Sequence, residues 1–174
     1  YTDLLSWIPD QPVSRRNALI SLEYNPVISD AERFIQAKAW GVWAVSRVGG
    51  TLRRPEMRSL QNRPLRIGYV SADLCQHTVG LFVKDVLKAH DPARVQVFAY
   101  SAGQHKDWVT DEIRAACTLR EVMALDDAAL AEQIRADGIE VLIDLSGHTA
   151  GSRLTAFAHR PAPVMVSWLG YFAT

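Results

Sequence analysis

From Pro64 onward the sequence alternates short apolar runs with helix-like stretches, and this alternation restricts the fold more than any other feature. Leu65-Arg66-Ile67-Gly68-Tyr69-Val70-Ser71 reads as a strand, followed by a loop over Asp73 to Val79 and a helix from about Gly80 to His90. A second strand covers Val95 to Tyr100 after an Asp91-Pro92 turn, then a helix around Asp107 to Cys117 and a short strand near Arg120 to Met123. Asp126-Asp127 caps a helix through Ala136, and Gly138 stands at the C′ position, where a left-handed residue closes a helix. Glu140-Val141-Leu142-Ile143-Asp144-Leu145 is almost continuously apolar, as a strand covered on both faces of its sheet needs to be. A short helix within Ser152 to His159 precedes Pro161-Ala162-Pro163 and a last strand, Val164 to Trp168, which ends at Leu169-Gly170. Strands and helices alternating at this spacing predict an α/β architecture built on a Rossmann-like parallel sheet.

Residues 1–63 have a different texture. Tyr1 to Pro26 carries prolines at 9, 12 and 26 and reads as short helical pieces and loop. Ser29-Asp30-Ala31-Glu32 then has capping-box spacing. Behind it Phe34, Ile35, Ala37, Trp40, Val42, Trp43 and Val45 recur at helical intervals until Gly49-Gly50. The arginine-rich stretch from Thr51 to Pro64 has two prolines and no apolar period, which predicts a solvated linker. The expected division is a helical lead-in with linker over 1–63 and a Rossmann-like lobe over 64–174.

At 174 residues the chain suffices for one full domain with its own core. Nineteen basic and nineteen acidic residues cancel, which removes the electrostatic case for nucleic acid or an anionic membrane as partner. Apolar runs fall far short of a bilayer span, and no signal-peptide pattern opens the chain. Since it opens on Tyr1 rather than a start methionine, upstream targeting stays open. Cys75 and Cys117 have neither CxxC nor zinc spacing and are expected as buried thiols in a reducing compartment.

In open parallel sheets ligands bind at the carboxyl ends of strands, which selects Ser71 to Val79, Ser146 to Gly151 and Leu169 to Thr174. Asp73 and His77 lie four residues apart between a strand and a helix. They are candidates to orient a hydroxyl, shuttle a proton or meet a phosphate at the helix N-terminus. Equally, they could do no more than cap the helix and pack the loop. No third residue is spaced to complete a metal site with them. Gly147 and Gly151 would let backbone approach a ligand closely, although they match neither GxGxxG nor a P-loop. His148 is a plausible substrate contact or a structural hydrogen bonder, and Ser146 lacks the GxSxG context of a hydrolase nucleophile. Gly170, directly after a strand, either admits a ligand or serves a tight turn with positive φ. His90, His105 and His159 have no constellation around them and read as surface or packing residues.

Four phrases in order carry a resemblance: Leu65 to Asp73, Asp144 to Thr149, Arg160 to Val164, and Trp168-Leu169-Gly170-Tyr171. Together they resemble the catalytic core of the O-linked N-acetylglucosamine transferase (SPINDLY-type) family. The resemblance implies an inverting, metal-independent GT-B glycosyltransferase whose first lobe is the present sheet. Its reaction would move N-acetylglucosamine from UDP-GlcNAc to Ser or Thr of acceptor proteins. It implies no cofactor beyond the nucleotide sugar as substrate, and a cytoplasmic enzyme that binds neither nucleic acid nor membrane. The partners implied are acceptor proteins, a C-terminal catalytic lobe holding most of the nucleotide, and tetratricopeptide repeats. Without that second lobe the fragment is expected to be inactive. Side chains and helix dipoles would neutralise the departing diphosphate.

Carried over by position, Asp73 and His77 are the catalytic candidates on the sugar side of the cleft, and Leu169 and Gly170 lie beside the sugar. The sequence departs from the family pattern at Arg15, where relatives often have a second cleft histidine, and at Thr78 and Phe172, where many have proline. These departures leave room for another donor, such as GDP-fucose, or for a non-catalytic scaffold lobe.

Overall fold

The computed structural model describes residues 2–171, so Phe172, one of the family departures, lies outside the described residues. The lead-in folds as α1 (Thr2–Trp7), α2 (Pro12–Ser21), a 3-10 turn over Leu22–Tyr24, and α3 (Asp30–Ser46). Ser29 caps α3 by accepting the Glu32 N–H at 3.2 Å. Trp43 and Ala44 of α3 bury against Ala158, which seats the lead-in on the sheet domain. The Trp43 indole donates to Asp10, and the guanidinium groups of Arg15 and Arg47 lie over its ring at 4.8 and 5.3 Å. Arg15 also donates to the Pro9 carbonyl. Its place is therefore on α2, stacked on Trp43.

The remaining elements alternate: β1 (Leu65–Ser71), α4 (Thr78–Ala89), β2 (Val95–Ser101), α5 (Trp108–Ala116), β3 (Thr118–Glu121), α6 (Asp127–Ala136), β4 (Val141–Asp144), α7 (Leu154–Phe157) and β5 (Val164–Ser167). All four pairings are parallel, in the order β3-β2-β1-β4-β5. Val83 and Leu87 of α4 and Val109 and Ile113 of α5 pack on one face, against Tyr69, Val97 and Ala99. Leu130 and Ile134 of α6 and Ala156 of α7 pack on the other, against Val70, Phe98, Tyr100 and Leu142. This two-sided cover is why β1, β2 and β4 read as apolar runs rather than alternating ones. The Rossmann-like sheet and its helical lead-in agree with the sequence reading.

Several boundaries differ by a residue from the expected ones, and two starts differ by two. α4 starts at Thr78 rather than near Gly80, because His77 takes the cap position and its ring accepts the Val79 N–H. β3 lies two residues earlier than expected, because α5 ends at Ala116 and an extended Cys117 lets Thr118 pair with Phe98. Cys75 and Cys117 are free and only partly buried. None of the described helices is long and apolar enough to cross a membrane.

At the amino-terminal edge of the sheet the arginine-rich stretch has neither helix nor strand, yet it is anchored. Arg54 donates to the Pro163 carbonyl and Arg58 to the Gly138 carbonyl, while the Leu52 carbonyl accepts from Arg160. Arg63 grips Glu140 with two bonds of 2.8 and 2.6 Å, and the Arg66 N–H adds a third at 3.1 Å. The Glu140 side chain is 2% exposed, so its charge is tolerable only because these donors meet it. They hold its carboxyl down at about 2, with the Arg63 hydrogen bonds foremost.

Glu140→Ala leaves Arg63 without its partner and should cost about 2–3 kcal/mol, the scale of hydrogen bonds to a charged group. The folded carboxyl titrates below its ordinary 4.5, so its contribution is complete above that pH and fades as pH falls toward 2. Urea unfolding of both proteins should therefore show a wide gap at pH 7 and a narrower one at pH 3. An equal gap at both pH values would remove the ion pair as the cause.

Candidate active site

The crossovers after β1 and β4 pass on opposite faces of the sheet, which opens a crevice between the two strands at their carboxyl ends. A cleft of about 610 Å³ occupies it. Asp73, His77, Thr78, Val79 and Phe82 line one side, with Thr149, Ala150, Leu169, Gly170 and Tyr171 opposite. The described residues of all three segments selected from the sequence thus meet in one place, residues 172–174 lying outside them.

The loop after β1 is rigidly held. The Asp73 N–H donates to Ser71 Oγ at 2.9 Å, and the Gln76 N–H donates to Asp107, the N-cap of α5, at 2.6 Å. Thr110 of α5 donates to the Leu74 carbonyl at 2.7 Å. Gly80 lets α4 start against this loop, since a Cβ there would lie 2.1 Å from the Cys75 carbonyl oxygen. His77 is half exposed; its Nδ1 accepts the Val79 N–H at 3.2 Å and lies 3.9 Å from Asp73 Oδ2. That acceptor role leaves the ring proton of a neutral His77 on Nε2, so the free nitrogen is a hydrogen-bond donor. Capping and cleft lining, alternatives in the sequence, coexist in this side chain.

The other wall is a backbone clasp. Gly147, at φ +56°, packs so closely that a Cβ would lie 1.9 Å from the Tyr171 carbonyl oxygen. A Cβ on Gly170, at φ +65°, would lie 2.5 Å from the Ser146 carbonyl carbon. Gly170 therefore lines the cleft, while its missing side chain makes room for the chain itself. Leu169 is held left-handed at φ +60°, costly for a branched residue and of a kind that collects at ligand sites. Tyr171 carries the lining toward the lead-in: burial, then Glu23 and Tyr24, push its phenol above the ordinary range.

His148 turns out of this cleft. It is 6% exposed and meets the ring of Trp40 edge-on at 4.8 Å. Neither His148 Nδ1 nor Trp40 Nε1 has a hydrogen-bond partner among the described residues. Burial, then Arg16, pull its pKa down to about 4, so the ring is neutral at pH 7. Phe82 was not singled out from the sequence. In Leu81-Phe82-Val83 only Val83 is fully buried, whereas Phe82 is 55% exposed and stacks edge-on against Trp168 at 5.9 Å. Only the helix phase, visible once α4 is seen to start at Thr78, separates them. No group of three or more metal-ligating side chains occurs among the described residues.

Known proteins resemble this chain in sequence and fold. The probable UDP-N-acetylglucosamine–peptide N-acetylglucosaminyltransferase SPINDLY of Arabidopsis thaliana is 32% identical over 94% of the chain, which spans 18% of that protein. The UDP-N-acetylglucosamine–peptide N-acetylglucosaminyltransferase of Caenorhabditis elegans is 38% identical over 67% of the chain, or 10% of its own length. A solved structure of a mutant O-GlcNAc transferase from Thermobaculum terrenum superposes with a TM-score of 0.83 at 38% identity, over 96% of this chain and 32% of that one. The profile of glycosyl transferase family 41 matches residues 48–174, which takes in the arginine-rich edge and every residue of the cleft. The chain thus belongs to glycosyl transferase family 41.

Proposed function

We propose that the cleft is the sugar-transfer site of a two-lobed GT-B protein O-glycosyltransferase. It would move N-acetylglucosamine from UDP-GlcNAc to a serine or threonine of acceptor proteins, with inversion and without a metal or further cofactor. The observation that carries this is the meeting of Asp73 and His77 with Leu169 and Gly170 in one cleft, at the start of α4. The activities of the relatives supply the donor and the acceptor class. Because the chain spans 18% of the SPINDLY relative, the second lobe, the tetratricopeptide repeats and a cytoplasmic setting belong to this proposal too.

In the transfer, an acceptor oxygen bonds to the sugar C1 while the bond from C1 to the diphosphate breaks and the acceptor proton passes to the Asp73 carboxylate. Negative charge grows on the leaving diphosphate. The first turn of α4 has no acidic residue, so its free N–H groups and helix dipole favour that charge. His77, a donor through Nε2, suits a phosphate or sugar oxygen and is ill-placed as a base, because a second proton would have to enter on Nδ1, where it caps α4. Asp73, whose carboxylate offers only acceptor oxygens, suits the acceptor hydroxyl. Val79, Phe82, Ala150 and Leu169 make the wall largely apolar, which keeps water from the reacting centre.

The test is transfer by the full-length protein, with UDP-GlcNAc and GDP-fucose offered in parallel. Labelled N-acetylglucosamine should appear on acceptor protein; fucose instead would reassign the donor, and no transfer from either would favour a scaffold. His77→Ala and His77→Asn should each lower kcat about 100-fold or more. Only the alanine variant should also lose about 1 kcal/mol of stability, because asparagine is itself a good N-cap. Wild-type turnover in His77→Asn would reduce His77 to a cap.

A further inference from the structure

Asp144 ends β4 with its residue 1% exposed, yet it does not line the cleft. Its carboxylate accepts the Ser146 N–H at 3.2 Å on one oxygen, and the Gly147 N–H at 2.8 Å and Ser167 Oγ at 3.1 Å on the other. Its own carbonyl accepts the Trp168 N–H at 2.8 Å. One side chain therefore holds the turn that leads to Thr149 and the strand end that leads to Leu169. On the near side Ser146 Oγ lies 3.3 Å from Ser71 Oγ, which accepts the Asp73 N–H. A buried polar chain thus runs from the loop after β1, through Ser71 and Ser146, to Asp144 and the end of β5.

We infer that Asp144 is the positioning residue of the transfer reaction, fixing the Gly147 turn and the Leu169-Gly170 segment against the Asp73–His77 loop. This rests on reading the cleft as the transfer site. A buried carboxylate is costly unless hydrogen-bonded, and packing alone would be served as well by an apolar residue. What the carboxylate adds is acceptance of three donors from two directions. Burial, the foremost influence, pushes its carboxyl up, and the three donors oppose that rise. Asparagine has the same shape but only one acceptor oxygen. Its NH₂ would face either the Ser146 or the Gly147 N–H, donor against donor. Asp144→Asn is therefore a size-neutral way to release one loop. Ser167→Ala, at an exposed position, removes only the β5 tie.

In the full-length enzyme, Asp144→Asn should lower kcat about 10- to 100-fold, the scale set by small misplacements of reacting groups. Ser167→Ala should lower it less, with KM for donor moving little in both. By hydrogen exchange, the Ser146 or the Gly147 amide, whichever faces the new NH₂, should lose protection while those of Tyr69 and Ala99 in β1 and β2 keep theirs. Full kcat in both variants would overturn the inference. So would a loss of protection spread evenly across the sheet, which marks general destabilisation. A wild type that transfers no sugar would sink the reading of the cleft. The exchange measurement would then decide alone, and undisturbed Ser146 and Gly147 amides in Asp144→Asn would overturn the holding role.

Discussion

The pairing of β1 with β4 is the constraint on which the rest of the lobe depends, and Glu140 guards its entrance. Parallel strands cannot find each other through a tight turn, so their register must be imposed by contacts between residues far apart in sequence. Here the Glu140 carboxylate takes the Arg66 N–H as β1 begins and the Arg63 guanidinium from the preceding stretch. β1 and β4 then run side by side from Ile67↔Val141 to Val70↔Asp144. Their far ends deliver the Asp73 loop and the Ser146 loop to opposite walls of one crevice. A charged contact at the start of these strands thus stands at the opposite end of the sheet from the cleft.

The two edges are built from different chemistry. Long arginines at the amino-terminal edge reach carbonyls across gaps, at Gly138, Pro163 and Asp137. Small residues at the carboxyl-terminal edge bring the chain together closely: Ser71 and Ser146 meet through their hydroxyls, and Gly147 and Gly170 press on backbone. The first arrangement tolerates imprecision, because guanidinium groups have several donors on flexible stems. The second does not, and it is the one beside the candidate chemistry.

The sheet was legible in the sequence because helices cover both its faces, and strands so buried leave apolar runs such as Val141 to Ile143 that little else explains. The helix caps at Ser29 and Asp126 were legible for a local reason, since a cap needs only its own first turn. Asp73, His77, Leu169 and Gly170 could be placed near one another from the rule for open sheets alone. Partners brought by remote chain were not legible. His148 sits on a cleft loop yet packs on Trp40, more than a hundred residues earlier in the chain. Nothing near Glu140 in sequence announces Arg63, which comes from far earlier in the chain. Phe82 and Val83 differ only in helix phase, which no neighbour in sequence reveals.

The glycine clasp also limits how the cleft could be reshaped. Gly147 and Gly170 press on each other's loops with no room for even one added carbon, and both have positive φ. Neither can be exchanged gradually. Diversification of the wall is thereby channelled to positions that already carry side chains into the cleft: Thr78, Thr149, Ala150 and Leu169. A change in what the cleft admits would fall on such side chains, while the backbone around it keeps its present course.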